Sequence, residues 1–240
     1  MFLFLVGLYA DMCICSSLAL ISGRATINSL DVLTILSATY IYILCQALDI
    51  RALQAELYEG LNIIVLEELQ NTFGSALEDN DFVKIVREVQ RTMRDAFDTT
   101  STMDATARMK KVASSSTTCL VDFFTGDSFT SSAIGVLLTS IPSFRTQVSA
   151  RSEALLEQLR SDYLSGARGA APASKYLNRT RPIYEYVRIN LGVRMHGSEN
   201  FSKFANDLGV EDVTIGQNIS YIQESIRDGK MQAVVVGLFE

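Results

Sequence analysis

The stretch from Val32 to Leu48 most constrains what this chain can become. It carries only Thr34, Ser37, Thr39 and Gln46 as polar side chains, and Asp31 and Asp49 bracket it. Leu, Ile and Ala dominate, and no Pro or Gly interrupts the chain between Gly23 and Gly60. The composition predicts a helix. A helix that is apolar on every side must be buried on every side, in a large protein core or in lipid.

The sequence around it takes two forms. Asn28-Ser29-Leu30-Asp31 offers a cap for a fresh start, so Ser17–Ile27 and Ser29–Glu56 read either as two helices or as one long helix with a local irregularity. Arg24 and Arg51 are expected in structural ion pairs. From Leu57 the pattern becomes amphipathic. Leu61, Val65, Leu69, Phe73 and Leu77 recur every four residues, and after the turn Glu78–Asp81 so do Val89, Met93 and Phe97. Met103–Val112 reads as a short helix broken by Ser114–Thr118. Ser131–Ser140 reads as another, stopped by Pro142, with a further helix over Arg145–Leu164. Ser165–Ser174 is the clearest linker. Beyond it Pro182 suits a first helical turn and Gly192 a stop. Asn200–Leu208 is expected as a short helix. Thr214-x-x-Gln217 reads as a capping box opening a helix that Gly229 ends, and Met231–Phe239 as a docked apolar tail.

Three segments carry a resemblance. Ser17-Leu-Ala-Leu-Ile-Ser-Gly-Arg24 followed by Leu44-Cys-Gln-Ala-Leu-Asp-Ile-Arg51 resembles the central helix of phenylalanine ammonia-lyases, in the aromatic amino acid lyase family. Thr180-Arg-Pro-Ile-Tyr-Glu-Tyr-Val-Arg188 with Leu191-Gly192-Val193 resembles the C-terminal part of the fungal members, as does Val213–Ser220. The likeness runs from about Ser17 to the C-terminus and is thin between Tyr58 and Lys175. It implies an all-α fold: a long central apolar helix followed by a multi-helix C-terminal shielding domain, a fragment of a tetrameric helical lyase. The implied segments are residues 1–16, an atypical apolar N-terminus; 17–57, the core helix region; 58–175, the shielding domain; and 176–240, a C-terminal helical segment.

The family removes ammonia from L-phenylalanine to give trans-cinnamate, through a methylidene-imidazolone ring self-formed from an internal Ala-Ser-Gly. This chain contains no Ala-Ser-Gly; Ile21-Ser22-Gly23 and Leu164-Ser165-Gly166 come nearest. No residue matches the family's catalytic base. The sequence therefore yields no catalytic, cofactor-binding or metal-binding residues, and the chain alone is expected to be inactive. Tyr184, Tyr186 and Arg188 form an aromatic-cationic cluster whose spacing speaks for packing more than for a ligand.

The expected partners are L-phenylalanine and further copies of the chain, as a homotetramer joined through the central helix. No nucleic acid is expected at a net charge of −6. The expected compartment is the cytoplasm. Four cysteines and the single histidine, His196, supply neither a disulfide framework nor a zinc site.

The apolar run from Met1 to Ile21 keeps two alternatives open: a membrane-anchored or secreted helical protein, and a non-catalytic subunit that assembles with complete lyase chains. No cation precedes Arg24, which argues against a signal or anchor. Met1–Cys15 is expected to be neither a cleaved signal nor native family helix, as an unspliced intron or false start would leave it.

Overall fold

The computed structural model describes residues 2–126, 134–197 and 214–239; for residues 2–17 it describes the backbone alone. The described residues are helical and contain no strand. They run as α1 (Phe2–Phe73), α2 (Asp79–Thr99), α3 (Ala105–Thr125) and α4 (Ile134–Ser165). A 3-10 turn (Pro172–Tyr176), α5 (Arg181–Glu185), a π-turn (Tyr186–Asn190), α6 (Ile215–Arg227) and α7 (Gln232–Val236) follow. The chain divides into two compact units. One comprises Met1–Asp49 with Gly169–Glu240, and the other Ile50–Arg168.

The unit Ile50–Arg168 follows its apolar periodicity closely. Leu57, Leu61, Val65, Leu69 and Phe73 of α1 are buried, and Ile85, Val89, Met93 and Phe97 form the buried stripe of α2. Phe73 is the aromatic centre, with ring centroids 5.1 Å from Phe124 and 5.8 Å from Phe144. Gly60 sits against Leu155, and a Cβ at that position would lie 2.4 Å from Leu155 Cδ2. A Cβ there would require the tip of the Leu155 side chain to shift, and glycine lets that side chain lie against the α1 backbone at a mid-helix cost of about 1 kcal/mol relative to Ala.

Of the two readings left open for the first stretch, the single long helix is the one formed, and two further expectations change. α1 is a single helix from Phe2 to Phe73, without a break at Asn28 or a boundary near Leu57. Thr26 and Ser29 send their hydroxyls to the carbonyls of Ser22 and Ala25, so these residues serve the helix interior instead of capping a new start. α3 runs straight through Ser114–Thr118. Ser114, Ser115 and Ser116 hydrogen-bond the carbonyls of Lys110, Val112 and Ala113, which satisfies the polar run internally. The buried series Met109, Val112, Ser116, Leu120 and Phe124 crosses it.

Pro142 lies inside α4 instead of ending a helix. The buried series Leu137, Ile141, Phe144 and Val148 spans the proline. Continuous burial outweighs the loss of about 3 kcal/mol that an interior proline imposes. The Asn200–Leu208 expectation lies outside the described residues, and so do the side chains of Met1–Cys15.

In the other unit the capping box is present, with Thr214 accepting from the Gln217 amide and Gln217 returning a bond to the Thr214 amide. Met231 is buried, whereas Phe239 is 87% exposed, so the tail docks at its beginning.

Candidate functional site

Among the described residues of the unit Met1–Asp49 with Gly169–Glu240, the buried charges form one network, centred on Asp49. The Asp49 side chain is fully buried on α1. One carboxylate oxygen accepts the Tyr184 hydroxyl and the other accepts an Arg188 Nη2–H. Tyr184 in turn accepts the Ala173 backbone N–H at 3.1 Å, and Arg188 Nη1 donates to the Val193 carbonyl at 2.8 Å. Three parts of the chain thus meet on one carboxylate: the 3-10 turn, the α5–π-turn segment and the residues after Gly192.

The local geometry follows from the sequence. Pro182 stands in the first turn of α5, and the π-turn that follows brings Arg188 inward beside Val187. Gly192, at φ +68°, takes a left-handed conformation that turns the chain back over Arg188. One helical turn before Asp49, Gln46 completes the arrangement. Its Nε2 donates to the Arg194 carbonyl at 3.2 Å, and its Oε1 accepts the His196 N–H at 3.1 Å. A side-chain amide thereby reads two main-chain groups of an extended segment.

Burial sets the electrostatics. It pushes the Asp49 carboxyl above its ordinary value, against the attraction of Arg188, and it raises the Tyr184 phenol, helped by the bond to Asp49. Tyr42 is raised by burial as well, and Cys45 on the same face is pushed up to about 11 by burial. The two phenols and the thiol therefore keep their protons near neutral pH, while the Asp49 carboxylate is matched by the Arg188 guanidinium. The network clamps the C-terminal segment onto α1.

The expected cluster of Tyr184, Tyr186 and Arg188 is divided by the structure. Tyr184 and Arg188 face Asp49, whereas the Tyr186 hydroxyl meets Ser225 of α6 at 2.8 Å. Arg24 and Arg51 form no ion pair among the described residues, because both project outward from α1. The buried pair that sequence reasoning missed is Asp49–Arg188. Its signal was present: both residues interrupt apolar surroundings, and an isolated charge there needs an opposite charge.

The methylidene-imidazolone that the resemblance implies does not fit the residues present. Ser22-Gly23 lies within the helical ladder of α1, with the Ser22 carbonyl accepting from Thr26. Ser165 closes α4 and donates to the Asp162 carbonyl. Neither sequence is the required triplet, and no chemical step runs through such a group here. The surface depressions around Leu66 are shallow and open, without converging catalytic side chains.

The comparisons agree with the two motifs that meet at Asp49. The sequence is 55% identical over 225 residues to phenylalanine ammonia-lyase 1 of Pleurotus ostreatus, and 56% identical over 225 residues to phenylalanine ammonia-lyase str11 of Strobilurus tenacellus, with 93% of this chain covered in each case. Crystal structures of phenylalanine ammonia-lyase from the yeast Rhodosporidium toruloides superpose with a TM-score of 0.76, at 31% and 29% identity over 92% of this chain. No family model matches the sequence. The chain spans about 30% of the length of the curated relatives it matches. Within that span it is a helical, phenylalanine ammonia-lyase-like polypeptide in both sequence and fold.

Proposed function

We propose that this chain serves as the C-terminal part of a phenylalanine ammonia-lyase, an enzyme that eliminates ammonia from L-phenylalanine to give trans-cinnamate in the cytoplasm. The observation that carries the reading is the 55% identity across 93% of the chain. Its contribution is architectural. The Asp49 clamp holds the C-terminal segment on α1, and the helices of Ile50–Arg168 act as the shielding layer. The Ala-Ser-Gly segment and the catalytic base are not among its residues, so the chain by itself does not turn over substrate.

Assembly through α1 belongs to the same reading. Val32, Leu33, Leu36, Tyr40 and Ile43 are exposed on the single chain, and further copies in a homotetramer would cover them. A second reading, insertion into lipid, is favoured by one observation: α1 is long and apolar enough to cross a membrane. Against it, Arg24 and Asp31 stand within the exposed apolar length, and a charge at the centre of a bilayer span costs about 2.5–3.5 kcal/mol.

Two assays test the proposal. The purified chain mixed with L-phenylalanine is expected to produce no cinnamate above a blank. The complete Pleurotus ostreatus enzyme, with its matching segment replaced by this chain, is expected to remain active. Turnover by the isolated chain, or a soluble and folded but inactive chimera, would overturn the reading.

A further inference from the structure

Between α1 and α2, the unit Ile50–Arg168 carries an open depression of about 240 Å³ that its own side chains do not fill. Leu66 of α1 and Phe82, Val83 and Val86 of α2 form its apolar walls, and Arg87 and Gln90 supply its polar part. Leu66 is 45% and Val83 56% exposed, so this wall stands open to water. The volume lies below the range of about 300–1,000 Å³ typical of drug-sized pockets and suits a ligand with one ring.

Charge narrows the ligand further. On α2, Lys84 pairs with Asp81, Arg91 pairs with Glu88 and Asp95, and Arg94 lies over the Tyr58 ring. Arg87 is exposed at the depression and forms no ion pair among the described residues. Gln90 donates its Nε2–H to the Asn62 carbonyl at 2.9 Å, which fixes its amide in the wall. No carboxylate is among the described residues that line the depression, and the neighbouring acids of α1, Glu67 and Glu68, are held by Arg151. A guanidinium presents a planar fork of donors that matches a carboxylate, while the Phe82 ring and the branched aliphatic walls match an apolar ring. A ligand that also carries an ammonium meets no acid here and sets that charge against apolar walls.

We propose that this depression binds an aryl monocarboxylate, with the carboxylate on Arg87 and the ring against Leu66, Phe82, Val83 and Val86. trans-Cinnamate, the product under the function proposed above, has this chemistry, whereas L-phenylalanine carries the disfavoured ammonium. The choice of ligand rests on that reading; the site itself rests on its lining. About eleven heavy atoms in an open site correspond to a Kd on the order of 1 mM. A site of that strength fills only as product accumulates.

The chain contains no Ala-Ser-Gly segment, so cinnamate binding to it is read without a cofactor pocket. Ligand-observed NMR titration with trans-cinnamate would compare the wild-type chain with R87Q, V83D and R91Q, each at an exposed position and each checked for helicity by circular dichroism. The wild type is expected to bind saturably. R87Q is expected to bind about fivefold more weakly, and V83D, which sets a negative charge in the wall, at least as weakly. R91Q, outside the lining, is expected to match the wild type. Neutral cinnamamide and zwitterionic L-phenylalanine are each expected to bind the wild type more weakly than cinnamate does. A wild type without saturable binding, or an R87Q variant that binds equally well, overturns the site. L-Phenylalanine bound as tightly as cinnamate overturns the preference for product. An inactive chimera in the assay above would overturn the lyase reading and leave the binding result in place.

Discussion

Leu36 and Leu69 lie on the same helix, yet the first is 65% exposed and the second fully buried. The contrast extends along α1. Its earlier part, from Leu18 to Leu44, is the more apolar and the less covered; its later part, from Leu53 to Phe73, is amphipathic and covered by the helices of its own unit. Hydropathy thus reports how much burial a segment requires, and periodicity reports whether one face or all faces require it. The amphipathic part specifies partners from one direction, which α2, α3 and α4 of its unit can supply. The part that is apolar all round needs partners on every side, and among the described residues its buried positions, Ala38, Tyr42, Cys45 and Asp49, lie along one edge.

Paired substitutions on α1 would test that contrast most strongly. Phe73→Ala removes a fully buried ring that touches Phe124 and Phe144, and it is expected to destabilise the unit Ile50–Arg168 by about 3–5 kcal/mol. Leu36→Ala, judged by thermal unfolding of the monomer, is expected to change stability by no more than about 0.5 kcal/mol. Equal losses at the two positions would mean that the earlier part of α1 is already covered in the monomer.

A somewhat smaller effect is expected at the charged anchor just beyond the earlier part. Asp49→Asn leaves Arg188 buried without its counter-charge, at a cost of about 3 kcal/mol. Hydrogen exchange should show the loss in Pro172–Val193, while Asp79–Thr99 keeps its protection. Uniform loss across both units would show that they unfold together. Replacing both charges, with Asp49→Leu and Arg188→Met in one chain, should recover part of the stability, because the unpaired charge is gone.

The mildest probe is chemical. Cys45 on α1 and Cys119 on α3 are both pushed up to about 11, chiefly by burial. The thiolate is the reactive form, so alkylation of the folded chain should accelerate as pH rises through about 11, instead of near the ordinary value of 9. Cys119, only partly buried, should react before Cys45. The linkage has a definite sign. The folded chain keeps protons that the unfolded chain gives up, so this contribution to stability is complete below pH 9 and is lost as pH rises through 11. Alkylation rates that level off near pH 9 would count against it.

Much of the helical architecture was legible because apolar spacing is a local property. The stripes of α2 and of later α1 follow the sequence residue by residue. The missed boundaries share one cause. The serine run and Pro142 are sound local signals for a break, and in each case burial or back-bonded hydroxyls along the helix overruled them, as they did the weaker signal at Asn28, where one continuous helix was also open. The clamp was half legible. Gln46, Asp49, Tyr184 and Arg188 all fall within the two motifs that resemble the lyases, but their pairing joins positions 135 and 139 residues apart. Spacing along a chain carries no information about which distant segment returns to it.

Gln46 has a consequence for how such sequences can diverge. It grips Arg194 and His196 by carbonyl and amide, atoms that nearly every amino acid shares. Mutation can rewrite the side chains at 194 and 196 without dissolving this attachment, whereas Gln46 itself has little freedom, since few residues present a donor and an acceptor side by side. Drift at 194 and 196 would therefore rewrite the surface there long before it loosened the attachment.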